Sequence, residues 1–242
     1  MDDIARRLDD DVMMLRARSP VPLRIVAGVV AAAAVAGLAT SAGAARTGGP
    51  NVSSSLVLQR RDVAGAFAET AGPLNAVRFF HISAAEARTL HIVAGYDVRF
   101  SRPEHDASKA AVLPAVFGIE SQAILFRSAS AANDLLSAFS SVCALYGLQT
   151  FETSLGDHAT GCSGAAPTVG SIAYLYWRDG RLDSGISLSS TDGRGLCKLQ
   201  QLALTLGQKQ QTDILRSSIL PAVSKKPPAR AHLTCSTGPP SI

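Results

Sequence analysis

At 242 residues and a net charge of +4, the chain has room for one ordinary domain of ~100–200 residues plus flanking segments. Its first 24 residues hold five bases and five acids, so the whole surplus lies downstream, spread over many positions. Nothing gathers the bases on one face, which excludes a nucleic-acid footprint.

The N-terminal stretch sets Ile4, Leu8, Val12 and Leu15 at the spacing of one helical stripe, suited to a partner or to the inner membrane surface. From Ile25 to Ala45 no residue is charged, and such a run crosses ~30 Å of hydrocarbon at ~1.5 Å per residue. Its alanines and glycines make insertion only marginally favourable. Residues 1–22 then form a short cytoplasmic segment and 23–45 a single transmembrane helix, with the membrane as one partner. Arg6, Arg7, Arg16, Arg18 and Arg24 place the N-terminus inside and the C-terminal domain outside. Ala42, Gly43 and Ala44 also fit a signal-peptidase site, so secretion after cleavage near Ala44 is the alternative.

All four cysteines, Cys143, Cys162, Cys197 and Cys235, follow this segment, as an oxidising compartment demands. Pairing neighbours gives Cys143 with Cys162 and Cys197 with Cys235; four free buried thiols are the alternative. No spacing of cysteine and histidine suits zinc, and no metal or cofactor is expected.

Residues 46–55 read as a linker rich in Gly, Pro and Ser, followed by an extracytoplasmic domain over 56–222 and an irregular tail over 223–242. In "LVLQRRDVAGAF" a short apolar run breaks at Asp62 and Gly65. Ser83 and Glu86 make a capping box that opens a helix to Leu90. Residues 96–100 alternate as a half-buried strand, a loop holds Pro103 and Pro114, and 118–127 is a second strand. A helix within 128–147 has Leu135, Phe139, Val142 and Tyr146 on one face. Residues 151–155 suggest a strand. Residues 172–188 form a hairpin turning at Asp179-Gly180, and a last helix from Leu196 to Ile219 shows Leu199, Leu202 and Leu206 as its stripe. The expected fold class is α+β, an antiparallel sheet packed with helices as an α/β sandwich, behind the single N-terminal membrane helix.

Candidate chemistry is sparse. His158, Cys162 and Ser163 lie close in "GDHATGCSGAA", where a nucleophile would need a base within reach. Ala165 replaces the last Gly of G-x-S-x-G, so a loop stapled by a disulfide is the preferred reading and a secreted hydrolase the alternative. "GRGLCK" carries Lys198 where a phosphate-binding turn needs Gly, and so reads as a plain helix start. His81, His91, His105 and His232 have no ligand spacing. Tyr174, Tyr176 and Trp177 are the candidate binding residues, for a small apolar ligand or a protein partner, with alternation sending the tyrosines to one face and the tryptophan to the other.

"LVLQRRDVAGAF", "ILFRSASAANDLLSAF", "LGDHA", "IAYLYWRDGRL" and the Gln-rich last helix, in this order, resemble actinobacterial exported proteins. That set is similar to the outer sensor domains of mycobacterial Ser/Thr kinases and to small secreted lipoproteins of the Mog1/PsbP type. Ala64 stands where those have Pro, and no lipobox Cys ends the apolar segment. The resemblance implies an envelope domain that binds or senses and carries no catalytic residues.

Overall fold

The computed structural model describes residues 52–65, 67–102, 115–166, 170–191 and 195–217. The expected membrane helix over 23–45, the inner stripe and the tail over 223–242 lie outside the described residues. Among those described, no helix is long and apolar enough to cross a membrane.

Among the described residues seven strands build one sheet: β1 (Ala68–Pro73), β2 (Ile92–Ser101), β3 (Val116–Phe126), β4 (Gln149–Phe151), β5 (His158–Ala166), β6 (Gly170–Asp179) and β7 (Leu182–Ser190). Their order is β1-β2-β3-β7-β6-β5-β4, and every neighbouring pair is antiparallel. The helices are α1 (Ala76–Phe79), α2 (Ala84–Thr89), α3 (Ala129–Leu145) and α4 (Leu196–Arg216). The α+β expectation of an antiparallel sheet packed with helices therefore holds.

Side chains alternate across the sheet, and each face is covered by a different long helix. On the first face Val98, Phe100, Leu125, Leu175, Trp177 and Ile186 meet Leu199, Ala203, Leu206 and Ile214 of α4. On the second, Ile172, Tyr174 and Tyr176 meet Leu136, Phe139 and Cys143 of α3, while Ile124 and Phe126 meet Phe79 and Phe80 at and beside α1. The core also takes in Val52 and Leu56, within and at the edge of the stretch read as a linker.

Local signals explain most boundaries. The capping box is present, Ser83 Oγ accepting from the Glu86 amide and Glu86 Oε2 accepting from the Ser83 amide. The Ser128 hydroxyl accepts from the Ala131 amide and starts α3. Two consecutive glutamines of α4 fasten it to the sheet. Gln210 Nε2 donates to the carbonyls of Leu56 and Gln122, both at 2.9 Å, while Gln211 Oε1 accepts from the Trp177 indole.

Three expectations need correction. Residues 158–166 are not a stapled loop but β5, paired with β6 along its whole length; pairing and burial override the weak strand propensity of Ala and Gly. The strand expected over 151–155 ends at Phe151. The hairpin turn is shifted by one residue: Asp179 pairs with Leu182, so Gly180 and Arg181 form the loop. Only Gly180, at φ 58°, takes the left-handed conformation there, the pattern of a turn with Gly first instead of Asp-Gly in the centre.

Candidate functional site

The hydrolase constellation is dismantled by the strand that carries it. Cys162 is bonded to Cys143, so it has no thiolate to offer. His158 and Cys162 are four residues apart on an extended strand, about 13 Å at ~3.3 Å per residue. Ser163 points to the opposite face, is fully buried, and accepts from Gln200 Nε2 at 2.8 Å. Nucleophile and base do not meet. Cys197 is disulfide-bonded as well; Cys235, its expected partner, lies outside the described residues.

His81 and His91 occupy left-handed turn positions, at φ 50° and 55°, while His105 and His232 lie outside the described residues. Among the described residues no group of three or more His, Cys, Asp or Glu side chains is placed to hold a metal.

The aromatic trio divides across the sheet. Trp177 is fully buried against α4 with its indole N–H taken by Gln211, and presents no surface to a ligand. Tyr174 and Tyr176 pack under Phe139 of α3, with ring centroids 5.7 and 3.9 Å from it. Their rings are buried too, and so is the Tyr176 hydroxyl. Burial raises both phenols above their ordinary pKa, and the nearby Glu120 charge adds to it; both stay neutral and able to donate or accept.

Strand register shows where those ends lead. One cross-strand row on the second face runs Asp97, Gln122, Gly185, Tyr176; the next runs Arg99, Glu120, Ser187, Tyr174. A Cβ at Gly185 would fall 2.7 Å from Tyr176 Cε1 and 3.0 Å from Gln122 Nε2. The missing side chain lets the Tyr176 ring lean over β7 toward β3 and β2. Its hydroxyl, in a residue only 5% exposed, makes no hydrogen bond of good geometry although Ser187 and Gln122 are beside it.

The far end of both rows is charged. Arg99 bridges to Glu120 Oε1 at 3.2 Å, with the Glu120 side chain 17% exposed. Asp97 is half-buried and has no hydrogen-bond or ion-pair partner among the described residues. Burial raises the pKa of both carboxyls, and Arg99 only partly offsets it. The tyrosines were visible in the sequence; Asp97, Arg99, Glu120, Gln122 and Ser187 were not singled out, although the alternation already sends Asp97 with Arg99 in β2, and Glu120 with Gln122 in β3, to one side.

No protein-family model matches the sequence, and no curated protein is significantly similar to it. Among solved structures, the extracellular domain of PknH from Mycobacterium tuberculosis aligns with 66% of this chain and 94% of its own, at TM-score 0.40 and 7% identity. A likeness of that size assigns neither family nor function. The functional reading therefore rests on the residues themselves.

Proposed function

We propose that this protein is a single-pass envelope protein whose outer domain binds a polar ligand or partner and performs no reaction. The carrying observation is the polar face of β2, β3 and β7, where half-buried Asp97 stands beside the Arg99–Glu120 pair in cross-strand rows with Gln122 and Ser187. Partly buried charged groups gathered on one sheet face are stabilised by an incoming polar group that pairs with them. The bonded cysteines support an oxidising compartment, and the apolar run over 23–45 supports a retained anchor, with secretion after Ala44 as the other topology.

The test is carboxyl labelling by a carbodiimide and glycinamide on the full-length protein, with and without the envelope fraction of its own cells. Occupancy should lower Asp97 labelling severalfold while exposed Glu69 labels as before. Equal labelling of Asp97 in both samples would overturn the reading.

A further inference from the structure

We propose that Arg178 is a two-position latch on α3, holding the first turn of that helix to the sheet until the Asp183 carboxyl loses its proton and draws the guanidinium away. One cross-strand row on the second face runs His158, Arg178, Asp183, Ile124, on β5, β6, β7 and β3. Ile124 packs with Ala132 of α3, and Arg178 Nη1 donates to the Ala129 carbonyl. Asp183 stands between the two, beneath the start of the helix. It is 4% exposed, and neither of its carboxyl oxygens has a hydrogen bond.

Arg178 is as poorly served. Its Nη1 bonds to the carbonyls of Ala129 and Gly180 are long, 3.3 and 3.4 Å, and its buried Nε has no acceptor. Directly opposed residues on neighbouring strands stand ~5 Å apart, so Arg178 and Asp183 are within reach of each other and yet not bonded. That arrangement suits a neutral carboxyl. Burial favours the neutral form, the Arg178 charge opposes it, and Asp179, from the other face of the sheet, reinforces it. The other charged groups around the row are turned elsewhere. Asp157 accepts from the Gly180 amide, Arg181 donates to the Arg127 carbonyl, and His158 and Asp134 of α3 are exposed.

Once ionised, Asp183 is a buried charge, strongly unfavourable unless paired. A charge-assisted bond from Arg178, ~2.7–2.9 Å and roughly twice as strong as a neutral one, displaces two long bonds to neutral carbonyls. The Ala129 carbonyl is then released. Only that end of α3 comes free, because the Cys143–Cys162 bond fixes the other end to β5. The helix hinges at the disulfide and uncovers Ile124 and Phe126 beneath its first turns.

The experiment is deuterium exchange read by mass spectrometry on the purified full-length protein in detergent, at mildly acidic and mildly alkaline pH, with labelling times scaled for the intrinsic rate. Protection of residues 130–136 should fall about tenfold at the higher pH while residues 140–145 stay protected. Asp183→Asn, neutral at both pH values, should keep 130–136 protected throughout, and Asp179→Asn should leave the parent's loss in place. Equal protection of 130–136 at both pH values in the parent, or a loss in Asp183→Asn equal to the parent's, would overturn the proposal. If Asp183→Asn does not fold, Arg178→Gln decides. Without the latch 130–136 should exchange fast at both pH values, and the parent's pH dependence in that variant would overturn the proposal.

Discussion

The Ser121 hydroxyl donates to Gln210 Oε1 at 2.9 Å, joining β3 to α4 across 89 residues of sequence. The same Ser121 oxygen accepts from the Leu58 amide at 3.0 Å. Gln210 thus holds the N-terminal segment, the sheet and the last helix at one buried point. Gln210→Ala keeps helix propensity high but strands the carbonyls of Leu56 and Gln122 and the Ser121 hydroxyl. It should cost about 3 kcal/mol, read by urea unfolding with Trp177 fluorescence.

The Cys143–Cys162 bridge closes a loop of sequence separation 19, linking α3 to β5. In the chain-entropy model such a loop is worth ~3 kcal/mol. Replacing both cysteines with Ser should lower stability by about that amount, and no fluorophosphonate should label Ser163 in either form. A labelled Ser163 would revive the hydrolase.

Stability should also depend on pH through the β6–β7 hairpin. Burial pushes the Asp179 carboxyl up to about 6 from 3.8, although Gln211 Nε2 donates to it at 3.3 Å. Burial raises Asp183 well above its usual value, with both its oxygens lacking hydrogen bonds. Carboxyls raised by folding bind more protons in the native state, so their contribution is fully present below pH ~4 and is lost as pH rises through the folded value. For Asp179 the loss approaches ~3 kcal/mol between pH 4 and 7. Asp179→Asn should flatten that part of the stability curve and raise stability at pH 7; an unchanged curve would contradict the assignment.

Gly185 is the space into which Tyr176 leans. Gly185→Ala places a methyl 2.7 Å from the Tyr176 ring, and such overpacking typically costs ~1–3 kcal/mol. Thermal melting should show that loss.

Period and punctuation made the long elements legible. Alternation in 172–188 placed Tyr174 and Tyr176 opposite Trp177, and Ser83 with Glu86 marked the start of α2. β5 was not legible because its Ala, Gly, Cys and Ser residues become a strand only when β6 and β4 flank them. β1 hid for the same reason, as an exposed edge strand whose hydrogen bonds all go to β2. The polar face was harder still. Asp97, Glu120 and Ser187 belong to three strands, and only the register across β2, β3 and β7 aligns them with Tyr174 and Tyr176.

The most direct test of binding at this face is a pair of native, unreduced mass spectra, from the parent protein and from Asp97→Asn, each extracted from its own cells. The account expects a parent mass short by about four hydrogens for two disulfides, with an additional bound species that the variant lacks. A bound species retained equally by Asp97→Asn, or no bound species on either protein, would contradict it.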